Sequence, residues 1–295
     1  RNLEKEQFNW GYDPVNYNVP EGSYATDAYH GEVRILEFKQ MILALHKAGI
    51  GVILDMVFNH TYHLDGVFQR TVPDYYYRIG ESGQYSNGSA CGNDTASERE
   101  MFRKFMIDSV CYWAKEYHID GFRFDLMGLH DVETMNQIRE ELDQLPNGEE
   151  ILMYGEPWAA DETAMEPEAI PAVAKNIHKL NPRIAIFSDR IRDGIKGNNF
   201  IPEHRGYANG GKREVLKAKE KIAASVCGLC GKEKDSIIKP IAPSQVINYV
   251  SAHDDRTLWD KLVISVKGEE VYRQKDQELL QMNKMAAGIV FTCLG

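Results

Sequence analysis

No run of apolar residues in the chain is long enough to span a bilayer, and its front lacks the charged-then-apolar pattern of a signal peptide. Basic residues are outnumbered, and no cluster of them overrides the balance: 34 Lys and Arg face 44 Asp and Glu, giving a formal net charge of -10 and a pI near 5.4. An acidic surface repels phosphate backbones, so a nucleic-acid partner is not expected and an uncharged substrate is easier to accommodate. Neither G-x-G-x-x-G nor a P-loop occurs, so a doubly wound sheet, the alternative architecture, would lack its phosphate-binding turn. Cysteine is scarce, five residues spread over 295, which is no disulfide framework. Cys227-Gly-Leu-Cys230 has the spacing of half a zinc site, but no second pair is near, and helix-end packing is the expected use. The chain also begins without Met, and the expectation is an excerpt from a longer protein.

What is present is alternation. Apolar residues at 35, 38, 42 and 45 mark a helix from about Val33 to Ala48, and Gly49 ends it before a strand running to His60. A second stripe at 102, 105/106, 109/110, 113 and 117 leads into the strand Gly121–Asp125. A third, through Met135, Ile138, Leu142 and Leu145, feeds the strand before Glu156. Less regular units follow. They are Ala164–Leu180, a strand over Arg183–Ser188, a loop over Gly194–Gly211, a basic helix over Arg213–Ala224, a strand before His253, and a helix around Leu279, Met282 and Ala286. That helix is expected to run into a last strand, Gly288–Leu294. Six helix–strand units imply an α/β fold with a parallel sheet, and 295 residues suit one barrel domain. Residues 61–97 form a long irregular segment, read as an insertion walling a pocket.

Four strands end in chemically capable residues: Asp55, Asn59 and His60; Arg123 and Asp125; Glu156 and Trp158; His253, Asp254 and Asp255. Arg123 and Asp125 are two apart, so both side chains project from one side of a strand. A buried Arg and carboxylate are costly unless they pair or serve chemistry. Four such ends in order fit strands whose carboxyl termini converge on one pocket. Before that context, each His is as readily a satisfied polar residue, Trp10 and Trp158 as readily core, and Tyr75, Tyr76 and Tyr77 as readily packing.

The order DMVFNH, GFRFDLMG, GEPW and SAHDD resembles the four signature regions of the α-amylase superfamily of glycoside hydrolases. The leading FNWGYDP, with NGSACGNDTASERE and NYVSAHDDRTLWDKL, is similar to the type I pullulanases, the α-1,6 debranching group. The resemblance implies a (β/α)8 TIM barrel with an insertion after its third strand. It places this chain from the loop after strand two to within strand eight, so the first two strands would lie outside it. Carbohydrate-binding and C-terminal sandwich domains would flank the barrel in the full protein, and the isolated piece is expected to be unstable or inert.

The resemblance further implies retaining hydrolysis of α-1,6 links in branched α-glucans, with Asp125 as nucleophile and Glu156 as general acid and base. Pro157 and Trp158 would keep Glu156 protonated. Asp254 would be the third carboxylate, with Arg123 pairing Asp125. His60 and His253 would hydrogen-bond one glucose unit, and Tyr12 would stack beneath it. Trp10, Trp158, Asn93 and Asp94 are further candidates for contacting substrate, while Asp55 and Asn59 would support the pocket. No cofactor is required, although calcium stays open because Asn59 and Asp94 could offer oxygens. Rival readings are an α-1,4 amylase, an isoamylase-type debrancher and a non-catalytic glucan-binding fragment. Phe8 stands where that group has Tyr, and Asp255 where the superfamily usually has Asn.

Overall fold

Helices and strands alternate as the apolar periods require, and a computed structural model describes residues 10–230, 237–268 and 276–295. Phe8 lies outside them. The chain divides into two compact units, Arg1–Ile184 and Ala185–Gly295.

The first unit begins with an irregular segment and α1 (Gly31–Lys47), followed by β1 (Ile53–Met56), the short α2 (Val67–Thr71) and α3 (Glu100–Tyr117). Next come β2 (Gly121–Phe124), α4 (Val132–Asp143) and β3 (Leu152–Gly155). All three strands run parallel with β2 in the middle, and the register sets Asp55 beside Arg123 and Arg123 beside Tyr154. Buried on every side chain, β2 is the apolar kind of strand that parallel sheets place at their centre. α4 starts where the Asp131 carboxylate accepts the Thr134 N–H, and α3 stops at His118 in the left-handed region. Under the strand ends sits an aromatic cluster in which Tyr17 stacks on Phe58 at 5.6 Å and meets Phe105 edge-on at 5.4 Å.

The second unit holds β4 (Ile184–Phe187) from its second residue on, then α5 (Asp189–Lys196), α6 (Lys212–Val226), β5 (Val246–Ile247), α7 (Leu258–Lys267) and α8 (Gln277–Phe291). β4 and β5 pair in parallel. Ile191, Ile195, Ile222, Leu262, Leu279 and Ala286 belong to its core.

Three expectations need correction. Among the described residues there are five strands rather than six, because Gly288–Val290 continues α8 instead of starting a strand. Asp276 caps that helix, and Thr292 and Cys293 hydrogen-bond back to its last carbonyls, so the apolar run stays helical. α5 and α7 are helices where no helix was expected. Each has its apolar residues three or four apart, but α5 spans 8 residues and α7 contains the strand-like Leu-Val-Ile, so neither shows a long stripe. Ala164–Leu180 keeps only a 3-10 turn, Ala174–Lys179.

Cys227 caps the end of α6, and among the described residues no group of three or more His, Cys, Asp or Glu could hold a metal ion.

Candidate active site

Asp125 and Glu156 each follow a strand directly: the Asp125 N–H donates to the Met56 carbonyl, and the Glu156 N–H to that of Phe124. Parallel pairing therefore delivers both carboxylates to one edge. Between them lies the Arg123 guanidinium, nearly buried, with Nη1 2.7 Å from Asp55 and 2.9 Å from Asp125, and Nη2 2.6 Å from Glu156. One cation thus holds three carboxylates. Burial works against the Arg123 charge, but Glu156, Asp55 and Asp125 outweigh it and keep the guanidinium protonated. Burial also pushes the Asp125 carboxyl above its usual range, although Arg123 and the Asn59 amide pull the other way.

Asp55 is more than a support for the pocket. Its second oxygen accepts the Tyr12 hydroxyl at 2.5 Å, and the Tyr12 ring lies 5.7 Å from the Arg123 guanidinium carbon. Burial and the Asp55 hydrogen bond raise the Tyr12 hydroxyl far above the usual phenol range, so it stays a donor.

Asn59 links the nucleophile candidate to His60. Its Nδ2 donates to Asp125 Oδ2 at 2.8 Å, so its Oδ1 faces His60 Nδ1 at 2.6 Å, and that ring nitrogen carries the proton. His60 Nε2 is then an acceptor with no hydrogen-bond partner among the described residues, 3.9 Å from Asp13. Burial lowers the His60 pKa, which keeps the ring neutral at neutral pH. Tyr17, a residue with no sequence signal beyond its aromatic loop, donates its hydroxyl to the His60 carbonyl at 2.9 Å.

Asn93 and Asp94 take another place than the sugar-facing one expected. Both are buried. Asn93 grips the Thr61 peptide, accepting its N–H at 3.0 Å and donating to its carbonyl at 2.7 Å. Asp94 accepts from Ser86 Oγ, Gly88 N, Ser89 N and Thr163 Oγ1, so both oxygens are taken within the fold. Asn59 Oδ1 is taken as well, and the pair does not fit a calcium ion. Tyr76 packs on Phe68 and Phe102, and Tyr77 is fully buried with its hydroxyl on Thr61, so these rings are packing.

Asn93→Ala would strand both polar groups of the Thr61 peptide next to His60. Unfolding in urea is expected to show a loss of about 1–3 kcal/mol. A change under 0.5 kcal/mol, on the order of a neutral surface substitution, would mean that the grip carries no stability.

Trp10 is exposed and Trp158 half-buried. Glu156 does not sit in purely apolar surroundings: Oε1 meets Arg123, and Oε2 accepts the Leu126 N–H at 2.8 Å. In the second unit, His253 and Asp254 are exposed on the segment after β5, with His253 Nε2 3.5 Å from Asp254 Oδ1.

No family model matches the chain. A pullulanase of Bacillus subtilis (strain 168) is 40% identical over 293 residues, 98% of this chain and 38% of that relative. The crystal structure of pullulanase from Paenibacillus barengoltzii in complex with maltohexaose and α-cyclodextrin superposes with a TM-score of 0.88 at 42% identity, over 99% of this chain and 43% of that one. That of the type I pullulanase of Bacillus subtilis with maltose also gives 0.88, at 39% identity over 98% of this chain and 38% of that one. Over nearly its whole length the chain is similar to pullulanases, the type I enzyme among them. It spans about two fifths of the length of these pullulanases, and its α/β fold with parallel strands matches their catalytic part.

Proposed function

We propose that this chain carries the catalytic carboxylates of a debranching glycoside hydrolase that cuts α-1,6-glucosidic links in pullulan and in limit dextrins. The observation that carries the reading is the single guanidinium joining Asp125 and Glu156 at adjacent parallel strand ends. Such bridging is compatible with the roughly 5–5.5 Å between carboxyl groups in retaining enzymes. Two carboxyl groups and water suffice for the chemistry, and no cofactor enters it.

In the proposed reaction Glu156 gives a proton to the glycosidic oxygen while an Asp125 oxygen attacks the anomeric carbon and the leaving chain departs. Water, deprotonated by Glu156, then releases the glycosyl group from Asp125 with net retention. Burial raises the basicity of Asp125 and hence its nucleophilicity, while Arg123 and Asn59 favour the ionised form. Because donors meet both Glu156 oxygens, the reading includes a shift of Glu156 off Arg123 as substrate enters. His60 Nε2 would accept a sugar hydroxyl, and Tyr12, anchored on Asp55, would stack under the ring. Asp254 is proposed as the third carboxylate and His253 as a sugar contact, with Trp10 and Trp158 as accessory aromatic contacts. Asn93 and Asp94 enter as braces behind His60 rather than as contacts.

The reading places these strands in a (β/α)8 barrel of which this chain is part, with further domains beyond it. Apolar side chains left exposed on α1 and at β1, among them Ile35, Leu36, Leu43 and Ile53, support more fold around the first unit. The full-length protein should release maltotriose from pullulan and little sugar from amylose. Comparable release from amylose would remove the debranching assignment and leave the mechanism.

A further inference from the structure

The segment Ser251–Thr257, which carries Asp254, belongs to no helix or strand and is pinned at both ends: Ser251 Oγ accepts the Leu258 N–H at 3.0 Å, and Thr257 caps α7. Its middle is held from a different element. Lys196, the last residue of α5, donates from Nζ to the Arg256 carbonyl at 3.1 Å. Three residues on, Asn199 donates from Nδ2 to Asp255 Oδ2 at 2.8 Å. Both donors are buried, Lys196 to 1% and Asn199 to 2% exposure, whereas His253, Asp254 and Asp255 are exposed.

These donors are costly choices for a core. An ammonium buried beside Arg192 and Lys261 is disfavoured, and burial followed by those neighbours lowers Lys196 to about 8, with Asp193 and Asp255 opposing. Asn199 leaves its Oδ1 buried with no hydrogen-bond partner among the described residues. A methionine and a leucine would fill the same space at no such cost.

The ground beneath them is rigid. Gly197 leaves α5 at φ +85°, and a Cβ there would come within 2.2 Å of the His204 carbonyl oxygen, so only glycine fits. Asn209 bonds the Lys196 carbonyl at 3.1 Å, Ser265 Oγ at 2.8 Å and the Gly206 N–H at 2.8 Å, tying the Lys196 backbone to α7. Asp255 itself sits at φ +55°, a left-handed conformation that Asp and Asn tolerate and that turns the chain sharply after Asp254.

We infer that Lys196 and Asn199 are positioning residues that fix the turn bearing Asp254, Lys196 through the Arg256 carbonyl and Asn199 through the Asp255 carboxylate. The inference rests on the proposed role of Asp254 and adds the residues that make its placement reproducible. It also explains how Asp255 serves where Asn is usual: the carboxylate accepts the Asn199 amide and faces Lys196, so its charge is met within the unit.

The test uses the full-length enzyme acting on pullulan, with Lys196→Met, Asn199→Leu, Asp255→Asn and Asp254→Asn, and each of the first two combined with Asp254→Asn. Displacing a reacting group by about 1 Å costs on the order of 100-fold, so Lys196→Met should lower kcat roughly 10- to 100-fold, Asn199→Leu less, and KM should move less than kcat. Asp255→Asn keeps an acceptor for Asn199 and should stay within about twofold of wild type. Once Asp254→Asn has removed the group being positioned, Lys196→Met and Asn199→Leu should add almost nothing, whereas a general packing defect would multiply through.

Full additivity in both double variants, or unchanged kcat in both single variants, overturns the positioning role. Should Lys196→Met fail to fold by circular dichroism, the Asn199→Leu pair decides alone. If Asp254→Asn by itself leaves activity intact, the assignment of Asp254 fails, an outcome distinct from loss of the positioning role.

Discussion

Arg123→Met is expected to destabilise the chain by about 3–5 kcal/mol and to abolish turnover, because it leaves Asp55, Asp125 and Glu156 clustered at the strand ends without their shared cation. The stability loss should depend on pH in a defined direction. Without Arg123 the Asp125 carboxyl, raised by burial, loses the charge that opposes that rise, so the deficit is full at neutral pH and shrinks as acid protonates it. Arg123→Lys keeps a charge but not the fork whose two arms reach separate strands, and should recover only part of the loss. Urea titrations at pH 7 and pH 5 measure both effects. A loss under about 1 kcal/mol at pH 7, the scale of an exposed pair, would show that the three carboxylates do not depend on the guanidinium.

The second large effect concerns Asp125, the proposed nucleophile, where stability and activity should move in opposite directions. In the proposed mechanism Asp125→Asn removes the attacking oxygen, and kcat on pullulan should fall by about 10^4-fold or more. The same substitution should raise the melting temperature at pH 7. Burial lifts the Asp125 carboxyl above its unfolded value, so its ionised form costs stability once the pH exceeds that range, and the cost disappears in acid. An Asn has no such charge and still offers one oxygen to Arg123 or Asn59. The gain should therefore be present at pH 7 and absent near pH 3. Equal or lower melting at pH 7 would mean that Arg123 and Asn59 overcompensate for burial, and the account of Asp125 would have to be reversed.

Much of this was legible in the sequence, for reasons that differ by element. Arg123 and Asp125 sit two apart in a short strand, and the alternation of a pleat is enough to predict that they share a face; their contact at 2.9 Å agrees. α1, α3 and α4 have long apolar stripes and appear close to their expected bounds. The share of Asp55 in the Arg123 cluster depends on strand register, which no local pattern carries. Asn93 and Asp94 look like ligand-facing polar residues in a glycine-bearing loop, and only the folded loop reveals that its own N–H groups and hydroxyls occupy them. Lys196 gives no signal at all, because a lysine at a helix end is ordinarily solvated and here the chain folds back over it.

The in-register row Asp55–Arg123–Tyr154 constrains how chains of this kind can change in length. Inserting or deleting one residue in β1, β2 or β3 would reverse inside and outside along that strand and break the row at once. A loop absorbs added residues at a cost that grows only with the logarithm of its length. The segment between Thr61 and Ser97 is not uniformly permissive, since Asp94 gathers three donors within it and a fourth from Thr163, and Asn93 ties it to Thr61. Length variation should therefore gather at residues 81–84, an exposed tip outside those ties, and peptides inserted there would leave the phase of the strands unshifted.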